Sequence, residues 1–226
     1  MATEPKAEPA SAAEKPARRL RRDAEENRRR LLEAAREVFA EAGFEATMDE
    51  IASRAGVGVG TAYRRFANKE ELIGALFADR LDELEAVIDA ALAEPDPWRG
   101  IVTYLERSVA LQSCDRGLKE LVLSSQRHRE FVEAARARLM PRVERLVRRA
   151  SDAGALRPGV EMTDLVMVQL MLGAITDSGP DGPAEAWRRY LPLLLDGLGA
   201  ERSGPLPGSA LTLTELDQVM EAKHRR

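Results

Sequence analysis

Between Gly60 and Phe66 the chain places a hydroxyl, a phenol and two guanidinium groups within five residues: Thr61, Tyr63, Arg64 and Arg65. Ala62 and Phe66, four apart, form the apolar pair of a short helix, so those four polar side chains point away from it. Arginine can make two bonds to guanine O6 and N7, threonine can meet a base edge or a thymine methyl, and a tyrosine hydroxyl suits a phosphate. Groups of this kind read a polyanion; they do not form a catalytic set. The chain offers no better catalytic alternative. Cys114 is its single cysteine and His128 one of only two histidines, with no further Cys or His at ligand spacing. A closed zinc site therefore has too few donors, and a Cys–His nucleophile would lack an orienting group and an oxyanion hole. We expect no enzyme activity, no metal and no cofactor.

The elements that must hold these side chains are legible upstream. Thr47 and Glu50 form a capping box that starts a helix, and Met48, Ile51, Ala52 and Ala55 repeat at helical spacing. Gly56-Val57-Gly58 then supplies a turn, with Val57 as its apolar plug. Two short helices joined through glycine, the second exposing polar groups, form the pattern of a helix-turn-helix that reads DNA. Helix 1 is predicted from Asp23 to Ala42, with Leu31, Ala35, Val38, Phe39 and Ala42 on one face, Gly43 as its C-cap and Phe44 returning to the small core. A fourth helix is predicted from Asn68, capped with Glu71, to Ala93, burying Leu72, Leu76, Leu84, Val87 and Ile88.

Five features in order and at these spacings, from about Asn27 to Leu76, resemble the tetracycline-repressor (TetR) family. They are the helix Leu31–Phe44, the Thr47 start, the Ala55-Gly-Val turn, the segment Gly60-Thr-Ala-Tyr-Arg-Arg-Phe66 and Asn68-Lys-Glu-Glu-Leu72. The resemblance implies an all-α protein with an N-terminal three-helix DNA-binding domain and a C-terminal helical domain for ligand binding and dimerisation. It also implies a cytoplasmic homodimer on palindromic double-stranded operator DNA, released by a small-molecule effector. The implied DNA contacts are Thr47, Gly58, Gly60, Thr61, Tyr63, Arg64, Arg65 and Lys69, with Thr47 and Lys69 resembling the family's phosphate contacts. Many relatives carry Ser-Lys where this chain has Gly58-Val59, so one cap and one backbone cation are missing here.

Composition allows this reading. The chain has 226 residues, is 44% hydrophobic and 32% charged, and contains no apolar run long enough to span a membrane. The net charge of −4 is unevenly distributed. Residues 1–80 hold 15 basic and 15 acidic side chains, so the acidic excess lies beyond them. Basic residues cluster at Arg18–Arg22, Arg28–Arg30 and Arg64-Arg65. We expect residues 1–22 to be a disordered arm, either a solvated tail or a further contact to phosphate or minor groove. The predicted domains are then 23–70 for DNA binding, 71–200 for regulation and dimerisation, and a tail over 201–226.

Within the second domain the sequence predicts a helix from Trp98 to Ser113, a loop at Cys114–Gly117, a short helix at Leu118–Ser125 and a long one at Arg129–Ala153. Pro141 is expected to kink or break that last helix. Gly154–Gly159 is a connector. Thr163–Thr176 is apolar nearly all round, so it needs cover on more than one side. Ala184–Leu198 places Trp187, Tyr190, Leu191, Leu194 and Leu198 on one face, with a bend at Pro192. A weak helix is possible at Leu211–Lys223, and no strand pattern is found. The last two long helices carry more apolar surface than one protomer can cover, which points to a dimer through Leu170, Trp187, Leu191 and Leu194. Tyr104, Met140 and Met167 are candidate walls for an apolar or amphipathic effector, although methionines at such spacing equally serve as core filler. The alternative is a DNA-binding helical protein whose second domain only dimerises or binds a protein partner.

Overall fold

The computed structural model describes residues 14–42, 45–113, 128–176, 185–201, 204 and 206–224. These are helical apart from short connections and one isolated antiparallel bridge, Leu156 to Gly199. The chain divides into two compact units, Met1–Leu72 and Ile73–Arg226, a boundary two residues beyond the one drawn from sequence.

The first unit contains α1 (Glu14–Ala42), α2 (Met48–Arg54), α3 (Val59–Arg65) and the first turn of α4 (Lys69–Ala93). α1 begins nine residues before the predicted Asp23, so the second part of the segment expected to be disordered is helix. Its residues, Glu, Lys, Ala, Arg and Leu, are strong helix formers. Pro16 falls in the first turn, where a missing N–H costs no bond. The core of this unit is Leu31, Ala35, Val38 and Phe39 of α1, Met48, Ile51 and Ala52 of α2, Ala62 of α3, and Phe66. Burying each of its larger members contributes about 1.5–3 kcal/mol. Ala42, expected on the same face, is exposed. Gly43 and Phe44 lie outside the described residues, as do Cys114, the loop to Gly117, the helix expected at Leu118–Ser125 and the side chain of His128.

The second unit continues α4 and adds α5 (Pro97–Ser113), α6 (His128–Asp152), α7 (Met162–Thr176), α8 (Trp187–Leu198) and α9 (Leu213–His224). Pro97 opens α5, where its fixed φ suits the first helical position, and Asp96 caps it by accepting from the Trp98 N–H at 2.9 Å. α5 packs against α6, α7 and α8. The resulting core includes Ile101, Leu105 and Val109 with Val143, Leu146, Leu165, Leu172 and Trp187. α6 runs through Pro141 and α8 through Pro192 without interruption, so the break allowed for at Pro141 does not occur. The buried stripe of α8 is Trp187, Leu191, Leu195 and Leu198, while Tyr190 is 44% exposed. The expected face was therefore shifted: Leu195 joins the buried stripe, Leu194 packs at the core's margin and Tyr190 stands in solvent. The tail is built rather than loose. Leu206 packs on the core, a Thr212–Glu215 capping box starts α9, and Leu216 is buried.

Candidate nucleic-acid interface

The site begins at Thr47, the N-cap of α2. Its hydroxyl accepts from the Glu50 N–H at 3.2 Å and donates to the Glu50 carboxylate at 2.9 Å, while the Thr47 N–H donates to the same carboxylate at 2.8 Å. These donors, the backbone N–H first, hold the Glu50 carboxyl below the usual range. Thr47 is thus fully engaged in capping, and a phosphate contact through its hydroxyl requires that proton to turn from Glu50.

At its other end α2 is tied to α1. Arg54 donates to Glu41 at 3.1 and 2.8 Å and to Glu37 at 3.3 Å, which lowers the Glu41 pKa. The chain then reverses in a Schellman turn. Val57 N–H reaches the Ala52 carbonyl at 3.0 Å and Gly56 N–H the Ser53 carbonyl at 3.1 Å. Gly56 has φ +63°, a left-handed conformation that disfavours any side chain. Val57 is half-buried beneath the turn.

α3 leaves this turn with Gly58 as an N-cap that has no side chain, consistent with the missing cap noted in the sequence. Ala62 and Phe66 are 0% and 3% exposed, and this pair fixes which face of α3 looks outward. Gly60, Tyr63, Arg64 and Arg65 are exposed and Thr61 is half-buried. Arg64 folds back along its own helix, donating from Nε to the Gly60 carbonyl at 3.1 Å and from Nη2 to Thr61 Oγ1 at 3.0 Å. Arg65 lies 5.9 Å from the Phe66 ring centroid. Val59, not among the sequence candidates, is 41% exposed. It gives the same surface an apolar group of the kind that meets a thymine methyl. Its place three residues before Ala62 concealed it, because that spacing reads as core.

Lys69 belongs with Thr47 rather than apart from it. Its Nζ donates to the Ala46 carbonyl at 3.3 Å, so the ammonium sits beside the start of α2. The turn before α4 is capped in a shifted box. Asn68 Oδ1 accepts from Glu71 N–H at 2.9 Å, and the Glu71 carboxylate accepts from Ala67 N–H at 2.6 Å. On α1, Arg29 pairs with Glu26 and Glu33, and Arg30 with Glu26, so part of the Arg28–Arg30 charge is met within the helix.

In the second unit the expected ligand and dimer residues separate. Tyr104 is 4% exposed within the core. Burial pushes its hydroxyl up to about 12, partly offset by a hydrogen bond with Gln169. Met140 and Met167 are half-buried on α6 and α7. None of the three lines the cleft of about 320 Å3 beside Trp187 and Arg107, or the one of about 710 Å3 beside Trp98 and Asp196. Trp187 and Leu191 are each 2% exposed, enclosed by the protomer's own core, while Leu170 and Leu194 are half-buried. On α7 and α8 the large apolar groups left in solvent are Met171, Tyr190 and Leu193, the last 64% exposed, and α9 adds Leu213 and Val219. Among the described residues no group of His, Cys, Asp and Glu could hold a metal, and no helix is long and apolar enough to cross a membrane.

Known proteins carry the same arrangement. Residues 31–76 match the family of bacterial regulatory proteins of the tetR type, and residues 96–200 match the C-terminal domain of SbtR-like transcriptional regulators. The HTH-type transcriptional regulator YhgD of Bacillus subtilis is 29% identical over 155 residues, which span 65% of this chain and 81% of that protein. The crystal structure of the TetR transcriptional regulator SCO0520 from Streptomyces coelicolor is 30% identical. It covers 76% of this chain and 98% of its own, with a TM-score of 0.57. A TetR regulatory protein from Mycobacterium vanbaalenii gives 28% identity, a TM-score of 0.61 and coverage of 80% and 99%. The matched residues 31–76 hold the capped α2, the glycine turn and the polar-faced α3, and the chain belongs to the TetR family of DNA-binding transcriptional regulators.

Proposed function

We propose that this protein represses transcription by binding a palindromic operator as a homodimer, and that a small apolar or amphipathic molecule in its second unit releases it. The observation that carries the DNA side is the outward face of α3. Gly60, Tyr63, Arg64 and Arg65 stand in solvent, backed by the buried Ala62 and Phe66, with no acid between Val59 and Arg65. In this reading Arg64 leaves the Gly60 carbonyl and Thr61 hydroxyl to meet a base edge, Tyr63 meets phosphate, and Lys69 with Thr47 holds a phosphate at the start of α2.

Dimerisation is supported by the apolar side chains that α7 and α8 leave uncovered, Met171, Tyr190 and Leu193, with Leu170 and Leu194 at their margin. A two-fold axis there would set two copies of α3 one helical turn of DNA apart, or a multiple of it, and so require a palindrome. For the effector, the buried Tyr104, bonded to Gln169, and the half-buried Met140 and Met167 line neither described cleft, so a molecule that reaches them must open its own space between the helices. The effector must bind the released state better, since equal affinity for both states shifts nothing.

Light scattering on Leu193→Arg tests the interface: monomers are expected, and a folded dimer places the interface elsewhere. A thermal-shift screen tests the effector. A compound that raises Tm and dissociates protein from DNA is expected; compounds that raise Tm and leave DNA binding unchanged would leave the second unit as a dimerisation module alone.

A further inference from the structure

The cleft of about 320 Å3 lies between α5 and α8, at the small end of the roughly 300–1,000 Å3 usual for ligand sites. Its apolar walls are Ala110 of α5 and Trp187, Leu191 and Pro192 of α8. Its charged groups are Glu106 and Arg107, consecutive on α5, and Arg188 on α8. At about 100° per residue the α8 residues on the cleft span about 140°. Tyr190 and Leu193 lie on the opposite side of that helix, so the dimer face proposed above is not the cleft's face of α8.

The cleft holds donors that the protein leaves unused. Trp187 is 2% exposed, and its indole N–H is buried without an acceptor among the described residues. A core tryptophan normally finds a partner for that N–H, and leaving it unmade costs about 1–3 kcal/mol. Arg107 is exposed, and among the described residues its guanidinium makes no ion pair or hydrogen bond; the same holds for the Glu106 carboxylate. Arg188 is already committed, paired with Glu185 and 4.6 Å from the Trp187 ring centroid. What remains is one buried N–H and one guanidinium on the same small cleft, and a carboxylate has two oxygens to meet them. Glu106 opposes an anion and favours a cation. A cation, however, brings no acceptor for the indole N–H, so it leaves the costly vacancy unfilled.

We propose that this cleft binds a small monocarboxylate with an apolar body, its carboxylate accepting from the Trp187 indole N–H and pairing with Arg107. The site is separate from Tyr104, Met140 and Met167. It rests on the groups that α5 and α8 present to the cleft and is independent of how the first unit reads DNA.

Calorimetric titration of the full-length protein without DNA tests this with three molecules of one shape: cyclohexanecarboxylate, cyclohexanecarboxamide and cyclohexylmethylammonium. The carboxylate is expected to bind most tightly, the amide more weakly, and the ammonium not to saturate. No saturation by the carboxylate below about 10 mM, or equal binding of all three, would overturn the site. Arg107→Gln should weaken the carboxylate about two- to fivefold and Glu106→Gln should tighten it about twofold, since the first removes an attraction and the second a repulsion. The reverse signs mean a cation site, and no change in either variant means that the carboxylate sits elsewhere; both results refute the proposal. Trp187→Phe keeps an aromatic ring and deletes the N–H, so it should weaken binding about two- to tenfold. Unchanged affinity in a folded Trp187→Phe protein removes the indole from the site and with it the proposed contact. Because Trp187 also packs in the core, that variant's melting curve is taken first; if it does not fold, the two exposed variants on α5 decide the site by their opposite signs.

Discussion

Gly56→Ala isolates the conformational requirement of the turn that aims α3. The residue has φ +63°, and a Cβ built on it meets no atom within 4 Å. Space therefore contributes nothing to the cost. What remains is the left-handed backbone, unfavourable for an L-residue by about 1–2 kcal/mol. Alanine also narrows the unfolded ensemble, which returns roughly 0.4–1 kcal/mol. The expected net change runs from about 0 to a loss of about 1.6 kcal/mol. The two turn bonds, Gly56 N–H to Ser53 and Val57 N–H to Ala52, persist only if the new alanine keeps that φ. Because no atom is displaced, α3 should stay in place, and DNA affinity measured on folded protein should remain within about threefold of wild type. Urea unfolding gives the first quantity as the shift in midpoint at unchanged slope, and a DNA titration gives the second. A clear gain in stability, or a loss above about 3 kcal/mol, would refute the argument, since either result denies that backbone conformation alone is at stake.

Arg64→Ala should lose about 1–3 kcal/mol on the preferred sequence and relax preference at one base pair. Lys69→Ala should weaken all sequences alike and make the salt slope shallower by about one unit, so identical behaviour of the two variants across duplexes would sink the division of roles. Gly100→Ala should destabilise by about 1–3 kcal/mol, because its Cβ would lie 2.7 Å from the Ala91 carbonyl; an unchanged melting temperature would show that α4 and α5 separate freely there. The Glu50 carboxyl titrates below its ordinary 4.5 in the folded state, so its contribution is present above 4.5 and is lost as pH falls through the folded value. Glu50→Gln should therefore flatten the fall of melting temperature below about pH 4.5, and an equally steep fall in the variant would show that the capping box does not govern it.

What the sequence made legible was short in range. The Thr47–Glu50 box, the Gly56 turn and the Ala62–Phe66 pair each lie within four residues, where helix geometry alone decides the neighbours. Lys69 reaches Ala46 across 23 positions, and no periodicity encodes that. Nor could it show Arg64 lying back on Gly60 and Thr61, because an exposed guanidinium has several acceptors in reach. On α8 the difficulty was of another kind. Trp187, Tyr190, Leu191, Leu193, Leu194 and Leu195 spread over an arc of about 200° opposite Arg188, Arg189 and Asp196, too wide for the pattern to say which stripe of it serves the protomer's core. Packing against α5 and α7 selects Trp187, Leu191 and Leu195 and leaves Tyr190 and Leu193 outside. The early start of α1 was concealed because a charged, alanine-rich segment satisfies the signature of disorder and that of helix equally.

The same distinction governs how the charge should be read. A net −4 looks unfavourable for a DNA-binding chain, yet many of the acids are paired with groups of the protein itself. Asp82, Glu85 and Asp89 pair with Arg138 and Arg142 on the helix beside them. Glu37 and Glu41 hold Arg54, Glu26 and Glu33 hold Arg29, and Glu50 and Glu71 cap helices. α3 contains no acid, and its exposed side chains are a valine, a phenol and two guanidiniums. At a Debye length of about 8–10 Å the field that a phosphate meets is set by this local surface rather than by the total. An arginine-rich α6 and an acidic stretch of α4 therefore say nothing about nucleic acid. They are the two sides of one set of ion pairs within the second unit.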